Sequence, residues 1–372
     1  MSESAPAGRP RIDLRVPGSR RHLFFFRKMV KRPSAPVTPG ALVDVYDRSG
    51  ACLGCGFWNP RSEIAVRMLG PAEDGLLERR LREAIAFREA LRIDADAWRV
   101  CHAEGDGISG LVVDRYGPVH SIEIFSLGLL AQLDTVRRVF PGAWVHADER
   151  AQELEGFRMP ASPPPESVVV REHGVRYGVD FVHGHKTGFF CDQRENRKAV
   201  ADLSAGKDVL DLCCYTGGFA LAAARAGARR VVGVDLDEHA IETAGRNAKL
   251  NRVAVEFLHQ NLFDYLRHAK EEFDLVVLDP PKMARDRGEL DRARRAYFDM
   301  NRLAPRVVRP GGILVSCSCS GLVSEEEFVR LVHQASEREL RTFRIAGAGP
   351  DHPVSSLYPE GRYLKAVFSR VV

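Results

Sequence analysis

The sequence predicts an α/β protein: a parallel sheet covered on both faces in the second half of the chain, preceded by a small β segment and a central α+β segment. Three observations lead there. After residue 207, short apolar runs alternate regularly with helical stretches. Those runs, "DVLDLCC", "RVVGVDL", "FDLVVLD" and "GGILVSCS", are almost continuously apolar, as strands buried on both faces must be. Before residue 71 the runs are short and broken by turn clusters, the pattern of a small β unit.

In order, "ALVDVY", "ACLGCGFW" and "EIAVRML" are strands separated by "DRSG" and "NPRS", giving a β domain over residues 1–73. The stretch "LLERRLREAIAFREALRI" repeats apolar residues at helical spacing with arginines opposite. Strand "WRVCHAE", the turn "GDGISG", strands "LVVDRY" and "SIEIFSL", a helix around "LAQLDTVRRVF" and strand "AWVHAD" complete a central unit over 74–167. It ends in the proline-rich connector "PASPPPES". The sheet domain occupies 168–372, with helices expected at "GGFALAAARAGA", "DEHAIETAGRNAKLN", "FDYLRHA" and "RARRAYFDMNRLAPRVV".

The 372 residues are 28% charged and 45% hydrophobic, an ordinary globular composition. No apolar run approaches the roughly 18 residues of a membrane-spanning helix, and "MSESAPAGRPRIDLRVPG" lacks the apolar core of a signal peptide. These features predict a cytoplasmic protein whose eight cysteines are thiols. Net charge is only +4, but nine Lys or Arg lie between Arg9 and Arg32 against one acid, Asp13. Such an end fits a polyanionic partner, nucleic acid before membrane, and equally a solvated tail.

The turn after the first strand of the sheet domain, "DLCCYTGGFA", has Gly217 and Gly218 opening a helix, where free N–H groups point outward. It is not G-x-G-x-x-G, so the dinucleotide fingerprint is absent. The next strand ends in Asp235, an acid able to accept from both ribose hydroxyls. A glycine turn and this acid without a phosphate-binding pattern fit S-adenosylmethionine. Asn261 closes the third strand, where it would read an adenine edge or cap the following helix. The fourth strand ends in "LDPPK", whose prolines stiffen the tip that carries Asp279, and the fifth ends in "SCSCSG". An acid and a thiol on adjacent strand tips make a candidate site.

Together "HGHKTGFFCDQRENR", "CYTGGFA", "LDPPK", "SCSGL" and "DHPVSSLYPEGRYLK" resemble the RlmI-type 23S rRNA cytosine-C5 methyltransferases. The resemblance spans the chain: the first segment is similar to a PUA RNA-binding domain, and the middle unit, with "GDGISGLVVDRYG", to the family's central domain. It implies a Rossmann-like class I methyltransferase domain, S-adenosylmethionine as cofactor and 23S rRNA as partner, with no membrane, as a monomer or homodimer. By position, Asp211, Tyr215, Thr216, Gly217, Gly218, Phe219, Asp235, Leu236, Asn261, Leu262 and Asp279 would hold the cofactor, with Lys186, Gln193 and Arg194 at its methionine end or the cleft mouth. Cys319 aligns with the family's motif cysteine as nucleophile, Asp279 would serve the base, and Lys282 stands where other cytosine-C5 RNA enzymes carry a second cysteine. Cys317 reads as a packing residue.

Two alternatives share these residues. One keeps fold and cofactor but methylates a nucleobase nitrogen, which needs no thiol. The other is a non-catalytic RNA-binding ribosome assembly factor. No metal is expected: Cys52 and Cys55 form a C-x-x-C without a regularly spaced second pair, and His183, His185 and His352 lack ligand spacing.

Overall fold

Val209, Leu210 and Leu212 on one strand and Phe273, Leu275, Val276, Val277 and Leu278 on the next are apolar and wholly buried, and these two strands form the middle of a seven-stranded sheet. A computed structural model describes residues 8–19, 21–182 and 189–372. The chain divides into two units: the first runs to Ile93 and takes in Trp98–Glu166 and Asp351–Pro359, and the second takes in Asp94–Ala97, Ser167–Pro350 and Glu360–Val372.

In the second unit the strands are β1 (Asp208–Leu212), β2 (Arg230–Asp235), β3 (Glu256–His259), β4 (Phe273–Leu278), β5 (Val308–Ser318), β6 (Leu340–Ala346) and β7 (Lys365–Val371). Their order is β3-β2-β1-β4-β5-β7-β6. The helices are α1 (Arg194–Asp202), α2 (Gly218–Arg225), α3 (Glu238–Asn251), α4 (Leu262–His268), α5 (Leu290–Leu303) and α6 (Glu325–Ala335). Strands β1 to β5 are mutually parallel, whereas β7 runs antiparallel to both β5 and β6. The expected parallel sheet is therefore mixed. Apolar continuity marks a strand as buried without marking its direction, and β7 follows a long loop instead of a crossover helix, so it can enter antiparallel. A hairpin of Val168–Glu172 and Val175–Val179, also unanticipated, precedes α1.

Period-two alternation divides the sheet's core. Leu210, Leu212, Val276 and Leu278 face one cluster with Tyr297, Met300 and Phe328. Val209, Leu275, Val277, Val315 and Cys317 face the other with Val200 and Phe219. Asp211 falls in phase with the second set. Helix starts are fixed locally: Asp237 accepts from the Ala240 N–H at α3, and Ser324 from the Glu327 N–H at α6.

The first unit contains a five-stranded sheet, in the order Arg11–Asp13, Leu42–Tyr46, Cys52–Trp58, Ile64–Gly70, Phe24–Phe26, and a four-stranded sheet of Ala97–His102, Leu111–Tyr116, Val119–Ile124 and Trp144–His146. Helix Leu76–Ala90 packs between them in a shared core with Phe57, Leu69, Val100 and Ile122. Buried Glu155 accepts from Asn59, Ser62 and Arg67. The expected helix around "LAQLDTVRRVF" is broken at Gln132 into Leu127–Ala131 and Leu133–Val139. Cys55 is buried with its thiol on the Pro71 carbonyl, and Cys52 is half-buried on the same strand.

Candidate functional site

The carboxyl ends of β1, β2, β4 and β5 meet at one edge of the sheet, the edge where open α/β sheets bind ligands. Leaving β1, the chain turns through Cys213 at φ 61°, Tyr215 at φ 48° and Gly217 at φ 85°. Left-handed backbone costs a non-glycine residue about 1–2 kcal/mol, so two such residues in one short turn are a strained device of the kind found at binding sites. Gly217 has a further reason to be glycine: a Cβ there would lie 3.0 Å from the Phe257 ring and 3.2 Å from Leu221.

Asp235 secures this turn. One of its oxygens accepts the Tyr215 N–H at 2.7 Å and the other the Asp237 N–H at 2.9 Å. Behind the turn, Tyr177 donates to the Gly218 carbonyl (3.1 Å) and the Asn247 amide to the Thr216 carbonyl (3.1 Å). Arg197, paired with Glu172 and fully within the core, packs against Gly218. Asp211 is completely buried and accepts the Ala220 N–H at 2.9 Å through one oxygen, while the other has no hydrogen-bond partner among the described residues. Burial, then the nearby charges of Asp279 and Asp235, push its carboxyl well above the usual range.

Three carboxyl groups thus converge at the tips of β1, β2 and β4, one of them with a buried oxygen unpartnered among the described residues. A cationic sulfonium ligand with a ribose and an amino group fits that acceptor set. A dinucleotide, whose pyrophosphate would meet these acids, does not.

On the other side of β1, Asp279 is half-buried and accepts from the Gln193 amide at 3.0 Å. Gln193 is aimed by Asn196, whose amide reaches Gln193 Oε1 (2.6 Å) and the Gly347 carbonyl (3.1 Å). Strand β5 lies parallel beside β4, with Leu278 opposite Ser316. Among Ser316 to Ser320 only Cys319 reaches the surface, and the other four are fully buried. Burial drives the Cys317 thiol far up, so it is inert, as the sequence reading expects.

Hydroxyls hold this second half together. Ser320 Oγ accepts the N–H groups of Met283 (3.2 Å) and Ala284 (3.3 Å), immediately after the Asp-Pro-Pro-Lys turn, and pairs with the Tyr297 hydroxyl at 2.9 Å. Ser318 donates to the same Tyr297 hydroxyl at 3.0 Å. The loop bearing Cys319 and the loop bearing Asp279 and Lys282 are therefore tied through one serine.

Most of the expected residues gather here. Thr216 is buried in the turn and Phe219 in the first turn of α2, and Leu236 is exposed beside Asp235. Asn261 serves as the cap of α4: its oxygen accepts the Phe263 N–H at 2.8 Å, and Leu262 begins that helix against the core. Arg194 is fully buried at the start of α1 with its Nε on Glu195. Lys282 is exposed after the prolines. Lys186, His183 and His185 lie outside the described residues. The sequence reading misses Asn196, Tyr297, Ser320 and Lys365; its one available signal is the lysine heading the apolar strand "KAVFSRV".

In the first unit the basic stretch is partly neutralised, with Arg9 on Asp44 and Asp74, Arg11 on Asp13 and Arg27 on Glu63. Arg21, Lys28, Lys31 and Arg32 remain exposed.

Comparison with known proteins agrees with this geometry. Residues 152–341 match the model of an S-adenosylmethionine-dependent methyltransferase, and residues 19–71 that of a PUA-like domain. Ribosomal RNA large subunit methyltransferase I of Aeromonas hydrophila is 36% identical over 379 residues, covering 94% of this chain and 96% of that one. Its counterpart from Photobacterium profundum is 36% identical over 374 residues, covering 93% and 94%. Among solved structures, the methyltransferase SMU.776, solved with SAH, superimposes with a TM-score of 0.80 at 19% identity, over 98% of this chain and all of that one, so the likeness is one of fold. The second unit is a class I methyltransferase fold and the protein an S-adenosylmethionine-dependent methyltransferase. On sequence likeness over nearly its whole length, the chain belongs to the ribosomal RNA large subunit methyltransferase I family.

Proposed function

We propose that the protein methylates C5 of a cytosine in 23S rRNA through a transient bond between Cys319 and C6 of the base. The observation that carries this reading is the half-exposed Cys319 thiol on the strand tip next to Asp279. A nitrogen methyltransferase has no use for a thiol there. The relatives' name supplies the large-subunit RNA.

Asp235 would take the ribose hydroxyls, the turn from Asp211 to Phe219 the body of the cofactor, and Gln193, Arg194 and Lys186 its methionine end. Leu236, Asn261 and Leu262 would border the adenine. When bound, S-adenosylmethionine supplies an electrophilic methyl group. The residues of the chain do the rest. C5 of cytosine is a weak nucleophile, and addition of the Cys319 thiolate to C6 moves the ring's electrons onto C5. Asp279, steered by Gln193, faces N3 and the exocyclic amine as charge develops. Once C5 carries the methyl group, loss of its proton and cleavage of the C6–S bond restore the aromatic ring and the thiolate.

The attack is perpendicular to the ring, so the base must be extruded or offered from a loop. An unpaired region in free RNA or an assembly intermediate suits this better than a finished subunit. Residues 1–73 would act as the RNA-binding domain, 74–167 as a central spacer and 168–372 as the catalytic domain. Exposed Lys28, Lys31 and Arg32 would position phosphates, as would Lys282 at the site. Such a protein works in the cytoplasm.

The test is to incubate the protein with cofactor and unmodified large-subunit rRNA and identify methylated nucleosides by mass spectrometry. We expect 5-methylcytidine, and none with Cys319→Ala. A methylated nitrogen that persists in Cys319→Ala would overturn the reading.

A further inference from the structure

Lys365 is the first residue of β7, opposite Ser318 at the end of β5, and it is completely buried. Its ammonium donates to the carbonyls of Ser320 and Val323, both at 2.7 Å. Among the described residues no carboxylate lies within 4.0 Å of it. An ammonium withdrawn from water without a close counter-ion is costly, and two neutral carbonyls offset only part of that cost. Any hydrogen-bond donor of similar length would tie these carbonyls together, so loop closure alone does not call for a charge.

The ionisable groups that act on Lys365 are few. Cys319 comes from the loop it holds, and Glu325 and Glu327 from α6. Both acids are otherwise engaged: Arg294 donates to Glu327 at 2.6 Å, and Arg362 stands 4.0 Å from Glu325. On the α5 side the loop meets Tyr297, whose hydroxyl burial keeps protonated. Lys365 engages both residues that flank Cys319: it lies opposite Ser318 and donates to the Ser320 carbonyl.

We propose that Lys365 is a positioning residue for Cys319: it fixes the loop that presents the thiol, and its ammonium is the built-in counter-ion that favours the thiolate. Burial first, only partly opposed by Cys319, brings the Lys365 amine down to about 8, so it remains charged near neutral pH. Coupling between two charges is reciprocal: if the thiolate favours the ammonium, the ammonium favours the thiolate. The inference rests on Cys319 as the reacting thiol.

The test reads Cys319 directly, without RNA or cofactor. Its rate of alkylation by iodoacetamide is followed against pH on the Cys319 peptide by mass spectrometry. In Lys365→Gln, which keeps an N–H donor and loses the charge, the midpoint should rise by about one pH unit and labelling at pH 7 should slow about tenfold. Lys365→Arg should stay close to the parent. An unchanged profile in folded Lys365→Gln would overturn the proposal. Should that variant not fold, Cys319→Ser serves: the lysine amine, followed by NMR of 13Cε-labelled lysine, should titrate lower than in the parent, and an unchanged titration would equally overturn it. Methyl transfer surviving in Cys319→Ala would sink the thiol-addition reading while leaving the alkylation result standing.

Discussion

Strand β1 carries an aspartate near each end, and the two live in opposite circumstances. Asp208, at the amino end, accepts two hydrogen bonds from Arg229 (2.8 and 2.7 Å) and one from Arg309 (2.8 Å). The bond from Arg229 foremost holds its carboxyl down at about 2. Asp211, three residues on, receives a single N–H, keeps one buried oxygen unmatched and is pushed upward by burial. Strand β4 repeats the contrast, with Asp274 on Arg309 (2.8 Å) at its start and Asp279 on a neutral amide just past its end. The amino edge is matched by arginines, whereas at the carboxyl edge Asp211 keeps a buried oxygen unmatched among the described residues, as suits a site for a charged ligand.

The sharpest division should come from Cys319→Ala, which takes away the proposed nucleophile and leaves the cofactor turn alone. Methyl transfer should fall at least about a thousandfold while cofactor affinity measured by calorimetry stays unchanged. A parallel loss of affinity would show that the two halves of this edge are one unit. Next, Asp235→Ala removes the acceptor of the Tyr215 and Asp237 N–H groups, and cofactor affinity should weaken roughly ten- to a hundredfold.

Asp211→Asn tests the unmatched oxygen directly. An acid whose folded pKa lies above its unfolded value costs stability that grows as pH rises from about 4 toward the folded value, and it costs nothing below. The variant should therefore be more stable than the parent at pH 8, by roughly 1–3 kcal/mol of unfolding free energy, match it below pH 4, and bind cofactor less well. Equal melting at both pH values would mean that this oxygen is satisfied after all. The smallest effect belongs to the amino edge. Asp208 has a depressed pKa, so its contribution is present above about 4 and is lost as pH falls through 2. Since Arg229 is largely exposed, solvent screening limits it: Asp208→Asn should lose about 1 kcal/mol at pH 7, converge with the parent near pH 2, and leave catalysis intact.

Much of this was legible in the chain. Apolar runs separated by helical periods announced the sheet, and Gly217 with Asp235 announced the ligand edge, because both depend on local backbone preference. Asp279 and Cys319 were legible because strand tips are where the small and polar residues interrupt apolar runs. What could not be read is how those tips are held: Gln193 by Asn196, Ser320 between two loops, and the Ser320 carbonyl by Lys365.

By itself the sequence determined the buried strands and the glycine-opened turn after β1, since each is encoded by residues adjacent along the chain. Only the tertiary structure decided that β7 enters antiparallel between β5 and β6, and with it that Lys365 lies opposite Ser318. It alone also decided that one Asp of β1 is matched by arginines and the other left unmatched. The partner of a buried polar group is chosen by long-range register, 45 residues away for Lys365 and Ser320, and no local preference carries that information.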